Sequence, residues 1–340
     1  IQDVHFPQAG TDGGQLDRGL TPAHRRLAFE ELFVLQLALA SRQRVTKEEV
    51  KQVSFDPKTP LLGKLGRALP YELTDAQKRV VREILSDMAS RKPMNRLVQG
   101  DVGSGKTVVA VQAMVLACGS GYQATLMAPT EILAEQHYRT MKGLLEPLGL
   151  AVVLVSGGGR VAARKAVREQ VASGAAQVVI GTHAIIQQGV IFAKLGLAVI
   201  DEQHRFGVLQ RKTLMEKGYK PDVLVLTATP IPRTLAMTVY GDLDVSVIDQ
   251  MPPGRKPVRT FLLSDSQRGR AYQILRDELR SGRQAYVVYP LVEESEKTDL
   301  QAAIQGAEQL QAEELADFRV GLVHGRMKSD EKEQVMASYK

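Results

Sequence analysis

Tryptophan is absent from this 340-residue chain, cysteine occurs once, and aromatic residues make up only 5% of it. A lone cysteine, Cys118, can form no internal disulfide and cannot by itself build a thiolate zinc site. It follows an apolar stretch with helical spacing, so core filling rather than reactivity is its expected role. Binding of single strands by stacking bases on aromatic side chains is disfavoured by the same scarcity. No apolar run approaches the ~20 residues of a membrane-spanning helix. The stretch Ile1–Gln15 has no charged and apolar signal-peptide pattern. A soluble cytoplasmic chain with no membrane partner is expected. Because it starts at Ile1 rather than Met, its natural N-terminus is read as removed.

What is present is a chain with 44% hydrophobic residues, enough for sizeable cores. Lysine and arginine total 44 against 38 acidic residues, a net charge of +6. That mild excess is compatible with phosphate-bearing partners but is weak evidence for them.

The order of segments suggests about two domains. Residues 1–60 read as a linker and a helical N-terminal segment. Within it, Thr21 caps a helix that has Pro22 at its first position and runs to about Arg42. A short polar helix, Lys47–Gln52, follows. From 61 to 250, short apolar strands alternate with helices. The strands are Arg96–Gln99, Ala124–Ala128, Ala151–Val155, Val178–Gly181, Ala198–Ile200 and Val223–Thr227. The helices include Thr107–Ala117, Glu131–Leu145 and Arg160–Ala172. This alternation predicts an α/β fold with a three-layer parallel sheet, whose ligands bind at the carboxyl ends of the strands. Met251-Pro252-Pro253-Gly254 is a stiff break, and 251–340 begins a second domain of the same kind. There Thr260–Leu263, Ala285–Tyr289 and Val320–Val323 read as strands. Gln267–Arg280 and Ser329–Lys340 read as helices, and the acidic Glu293–Asp317 as a surface insertion.

Gly100-Asp101-Val102-Gly103-Ser104-Gly105-Lys106-Thr107 fits the phosphate-binding pattern G-x-x-x-x-G-K-[ST]. It follows an apolar strand and opens a helix, the context that pattern requires. Gly103 and Gly105 let the backbone curl until successive N–H groups face one anion. The positive end of the helix adds to the attraction. Lys106 can reach the β- and γ-phosphates of ATP, and the Thr107 hydroxyl can ligate Mg²⁺. A glycine-rich turn that binds nothing explains neither the motif nor its setting.

The strand at 198–200 runs into Asp201-Glu202-Gln203-His204. Asp201 would hold Mg²⁺ through water, and Glu202 would polarise the attacking water as general base. A solvated strand end is the alternative. No Cys or His cluster surrounds His204, which disfavours zinc. With Gln203 it is expected to couple the nucleotide to moving parts. Thr227-Ala228-Thr229-Pro230 ends the next strand, either as a simple turn or with Thr227 and Thr229 bonded to the acidic pair or the γ-phosphate site. Thr74 and Gln77 form a capping box. Gln77 either serves that cap alone or also bonds adenine, which requires its side chain to turn outward.

These pieces occur in the order found in superfamily 2 helicases: Gln77, the loop at Lys106, Pro129-Thr130-Glu131, Gly181-Thr182-His183, Asp201-Glu202-Gln203-His204 and Thr227-Ala228-Thr229. The wording of GDVGSGKT (100–107), MAPTEILAEQH (127–137), DEQHRFGVLQR (201–211), TATPIPRTLAM (227–237) and MPPGRKPV (251–258) resembles the RecG family of bacterial branched-DNA helicases. The resemblance covers roughly 61–340, and the segment before it resembles the linker between that family's wedge domain and its motor. The motor of the transcription-repair coupling factor is similar, but it tends to carry Glu where this chain has Gln203; the primosomal helicase is more distant.

The resemblance implies RecA-like domains and an ATP-driven motor on branched double-stranded DNA, acting in DNA repair and recombination. It also implies that Thr130, Glu131, Gly181 and Thr182 lie near the DNA backbone and that Arg205 helps coupling. Thr130 is equally well explained as a plain helix N-cap. Small hydroxyl residues and backbone N–H groups suit phosphate contacts without base reading. No Q-x-x-G-R-x-G-R-type segment follows in the second domain, so the chain is expected to bind nucleotide with weak turnover. Two other classes compete: a P-loop ATPase without DNA work, and a decayed motor. Intact Lys106, Asp201 and Glu202 argue against the second.

Overall fold

The computed structural model describes residues 2–7, 10–48, 50–51, 53–156, 161–186, 189–202, 221–229, 243–254, 258–288, 304–325, 327 and 329–339. Their contacts divide the chain into two compact units, Ile1–Arg255 and Lys256–Lys340.

The first unit is built on strands β1 (Asn95–Gly100), β2 (Gln123–Met127), β3 (Val152–Val155), β4 (Val178–Gly181), β5 (Leu195–Asp201), β6 (Asp222–Thr227) and β7 (Asp244–Ile248). They form one seven-stranded sheet in the order β3-β4-β2-β5-β6-β1-β7, and every pairing is parallel. Parallel strands need crossovers, and among the described residues α-helices supply those from β1 to β2, β2 to β3 and β3 to β4. The helices of this unit are α1 (Gln2–His5), α2 (Gly13–Asp17), α3 (Pro22–Glu48), α4 (Pro60–Ala68), α5 (Asp75–Ala89), α6 (Lys106–Gly119), α7 (Glu131–Leu145) and α8 (Val161–Ser173).

Side chains alternate across the sheet into two cores. Leu197 and Val199 of β5 join α4 to α7 on one face, while Ala198 and Ile200 join Val171 of α8 on the other. This is the period of two of a strand covered on both faces. Helix α6 is buried on every side from Val108 to Cys118 because α4 and α5 cover the face turned away from the sheet. Each large apolar side chain so enclosed contributes about 1.5–3 kcal/mol. Cys118 belongs to this core, and burial pushes its thiol up to about 12.

Six of the strands lie where the sequence places them, with ends shifted by up to a few residues. The seventh, β7, has a weak signal because it is an edge strand carrying Asp244 and Ser246. Helix α3 runs on to Glu48, so Lys47 sits in it rather than starting a helix of its own.

The boundary set at residue 60 falls inside the packed unit. Val53 and Phe55 are core residues. The Lys51 ammonium is completely enclosed and bonds Asp222 Oδ2 at 2.6 Å and the Met88 carbonyl at 2.8 Å. Asp222 Oδ1 accepts from the Met94 N–H at 2.8 Å. Burial pushes the Asp222 carboxyl up to about 6, against the pull of Lys51. This knot holds 51–60 to the amino ends of β1 and β6.

In the second unit, α9 (Arg268–Arg280) and α10 (Ser329–Tyr339) match the expected helices. A helical segment at 304–309 passes into a π-helical turn, Leu310–Glu314, and Arg276 bonds Glu314 at 2.7 Å. The expected strands do not form among the described residues: 260–263, 285–288 and 320–323 carry no regular secondary structure. Several of their apolar side chains are exposed, Leu262 at 99% and Val288 at 84%, while Leu263, Val320 and Leu322 are half-buried. Apolar, β-branched composition marks a segment that suits a strand, but a strand exists only where neighbouring backbones pair with it. The expected insertion lies outside the described residues from 293 to 303.

Candidate functional site

The sheet order brings the predicted motifs to one edge. Reading across the carboxyl ends, β1 leads into the loop at Gly100, β6 ends at Thr227 and β5 at Asp201. Next, β2 leads to Pro129-Thr130, and β4 ends at Gly181. Residues far apart in sequence therefore line five neighbouring strand ends.

The glycine-rich loop has the backbone its composition allows. Gly103 and Gly105 have φ of +79° and +88°, which only glycine adopts freely. The Ser104 N–H donates to the Asp101 carbonyl at 3.0 Å, closing a turn. Gly105 is the N-cap of α6, and Lys106 and Thr107 open that helix. The Lys106 ammonium donates to the Gly100 and Asp101 carbonyls at 2.7 and 2.9 Å. Ser104 is fully buried, and its hydroxyl is one of three buried side-chain polar atoms among the described residues with no hydrogen-bond partner. A Cβ on Gly100 would lie 2.6 Å from that hydroxyl.

Gln77 is turned inward. Its Oε1 accepts from the Thr74 N–H at 2.8 Å, and its Nε2 donates to the Ser104 carbonyl at 2.8 Å. The expected capping box is present, with the Thr74 hydroxyl accepting from the Gln77 N–H at 3.2 Å. The outward turn needed for an adenine bond is not made, and Gln77 is only 2% exposed. An open cavity of about 530 Å³ lies beside it instead, lined by Gly66, Leu69, Tyr71, Leu73, Lys78 and Gln112 among others.

On β5, Asp201 is paired in register with Leu226 of β6, and the Glu202 N–H donates to the Leu226 carbonyl at 3.0 Å. Glu202 has φ of +53°, the one non-glycine in the left-handed region among the described residues. Such a conformation costs on the order of 1–3 kcal/mol. Thr227 is buried, and its hydroxyl accepts from the Thr229 N–H at 3.2 Å, as a local turn does. Thr130 is the N-cap of α7, accepting from the Leu133 N–H at 3.3 Å, and Glu131 is exposed beside it. Thr182 is 3% exposed with an unpartnered hydroxyl. Gly181 presses on the Val155 carbonyl so closely that a side chain there would collide with it. Gln203, His204 and Arg205 lie outside the described residues.

Sequence reasoning missed His137. Its Nε2 lies 2.9 Å from Asp201 Oδ2, and both side chains are largely enclosed. Only its place in MAPTEILAEQH, on the helix following β2, could have drawn notice. Also missed was Gln250, whose Oε1 accepts from the Ala76 N–H at 3.0 Å beside Gln77.

The residues present fit a Mg²⁺-bound nucleotide. The loop is a backbone cradle that a Cβ would fill, Ser104 has an orphaned hydroxyl, and Lys106 rests on carbonyls an anion could outbid. Among the described residues no group of three or more His, Cys, Asp or Glu could hold a metal. Mg²⁺ on a nucleotide needs none, since it takes one or two protein ligands plus phosphate oxygens and water.

Residues 74–238 match the family described as DEAD/DEAH box helicase. The whole chain aligns with the ATP-dependent DNA helicase RecG of a Synechocystis strain at 48% identity over 340 residues, and with that of Escherichia coli K12 at 48% over 346. The chain is homologous to the RecG helicases along its whole length. It spans 40% and 50%, respectively, of those two relatives' own length. A solved structure described as RecG bound to a three-way DNA junction matches 93% of the chain and 41% of the RecG chain, with TM-score 0.75 and 43% identity. The RecG match confirms the RecA-like helicase fold of the parallel sheet. A helicase domain of this kind implies nucleotide binding.

Proposed function

We propose that this chain carries the ATP-driven motor of a helicase that moves on double-stranded DNA and remodels branched structures such as forks and four-way junctions, in repair and recombination. The observation that carries the reading is the alignment of a phosphate loop, an acidic pair and two small-residue strand ends along one edge of one sheet. The RecG homology supports branched DNA as the substrate.

In this reading the first unit is the ATP-binding domain and the second begins a companion domain. The loop N–H groups from Asp101 to Lys106, with Gly100 and Val102 shaping the curve, hold the phosphates. Lys106 leaves the Gly100 and Asp101 carbonyls for the β- and γ-phosphate oxygens. Thr107 and Asp201 hold Mg²⁺, which screens phosphate charge when bound. Glu202 accepts a proton from the attacking water. Adenine lies in the cavity beside Tyr71 and Gln112, while Gln77 fixes the loop from behind. Gln203, His204, Arg205, Thr227 and Thr229 couple the nucleotide to movement. Thr130, Glu131, Gly181 and Thr182 form the DNA side, where small groups and backbone amides touch phosphates without reading bases.

The test is fluorescence anisotropy of a labelled three-way junction and of a linear duplex of equal length. Binding that favours the junction and weakens steeply with salt is expected. A chain that binds ADP but neither DNA would instead be a P-loop ATPase without DNA work.

A further inference from the structure

A carboxylate that holds Mg²⁺ must be aimed at it by what surrounds it. The structure supplies one candidate. His137 Nε2 stands 2.9 Å from Asp201 Oδ2, reaching from α7 to the adjacent strand end. A carboxylate only accepts hydrogen bonds, so Nε2 must be the donor. The contact is shielded: the two side chains are 13% and 15% exposed. A bond to one carboxylate oxygen restrains the group's rotation and leaves the other oxygen available to a further partner. Partners of this kind around a metal's ligands set their orientation, and losing one typically costs 10–100-fold in metal affinity.

We propose that His137 is a positioning residue for the metal at the nucleotide site, acting through Asp201; this rests on the reading of Asp201 as the Mg²⁺ carboxylate. Helix α7 begins at Thr130 and Glu131, on the proposed DNA side. One side chain thus joins the helix that starts at the DNA side to the carboxylate that serves the nucleotide. The bond opposes rotation of Asp201 and is the direct side-chain link between α7 and that carboxylate.

The test measures Mn²⁺ binding by electron paramagnetic resonance in the presence of ADP, alongside mant-ADP binding without metal. Both are run on the 340-residue chain and on His137→Ala, His137→Gln, Asp201→Asn and Lys106→Ala. The expected result for His137→Ala is a Mn²⁺ affinity lower by roughly 10-fold or more, with metal-free nucleotide affinity near the parent's. Gln keeps an N–H donor at the corresponding distance, so His137→Gln should recover most of the loss. Parent-like Mn²⁺ affinity in His137→Ala, while Asp201→Asn loses it, overturns the positioning role and leaves the site reading standing. Equal losses in the Ala and Gln variants, accompanied by weaker metal-free nucleotide binding, also overturn it, because they mark a purely structural contact. A parent chain that binds no Mn²⁺ with ADP, or a Lys106→Ala variant that binds mant-ADP as the parent does, overturns the site reading and this proposal with it.

Discussion

The Gln77 amide bridges two structures: it accepts from the Thr74 N–H and donates to the Ser104 carbonyl, each at 2.8 Å. It therefore ties the first turn of α5 to the tip of the phosphate loop. Replacing Gln77 with Ala leaves the buried Ser104 carbonyl and the half-buried Thr74 N–H without this partner, at about 1–3 kcal/mol. Thermal melting should show that loss, and ADP should bind more weakly because the loop is no longer braced. Unchanged ADP affinity would mean that the loop needs no brace.

Gly105 sits against that bridge. Its φ of +88° is unfavourable for any side chain, and a Cβ would collide with Gln77 Nε2. Gly105→Ala should unseat the loop and sharply reduce nucleotide affinity while the sheet survives. Far-ultraviolet circular dichroism beside mant-ADP titration separates the two effects.

The left-handed Glu202 predicts a trade between stability and activity. Glu202→Gly should remove backbone strain of on the order of 1 kcal/mol and so melt above Glu202→Ala, which keeps the strain. The same substitution should abolish hydrolysis. Glu202→Gln should keep the strain and ADP binding yet hydrolyse poorly. A Glu202→Ala variant that melts above Glu202→Gly would show that the residue is not strained in the folded chain.

Lys51 and Asp222 predict a stability effect far from the site. Lys51→Met leaves a buried carboxylate unpaired and should cost about 3–5 kcal/mol in urea unfolding. The pair also has a pH signature. Asp222 is raised from its ordinary 3.8 to about 6, so the folded chain binds this proton more tightly than the unfolded one. Its contribution is full below pH 3.8 and is lost as pH rises through 6, at most on the order of 3 kcal/mol. The stability gap between the parent and Asp222→Asn should therefore narrow as pH rises from 3.8 to about 6. A gap independent of pH would place the group at its ordinary value.

Cys118 should resist thiol reagents in the folded state, since burial pushes it up to about 12 and removes the reactive thiolate. Labelling by a maleimide at pH 8 should follow global unfolding. Rapid labelling without denaturant would show that the α6 core opens locally.

The sheet was legible in the sequence because its buried strands are short runs of Val, Leu, Ile and Ala ended by motif residues. The loop at 100–107 was legible because its chemistry demands glycine at fixed spacing. Edge strand β7 was not, since Asp244 and Ser246 break its pattern. The role of 51–60 was hidden because a lysine sealed in a core looks like any surface lysine until Asp222 is seen beside it. His137 was invisible for a similar reason: it lies on α7 and its partner at the end of β5, and only the adjacency of β2 and β5 brings them together. In the second unit the composition promised strands, but pairing is not a property of one segment.

The central claim is that this edge of the sheet hydrolyses ATP in response to DNA. Phosphate release measured with and without fork DNA, for the parent chain and Lys106→Ala, tests it most directly. DNA-stimulated release that disappears in Lys106→Ala is the predicted result. Release that is indifferent to both DNA and the substitution would contradict it.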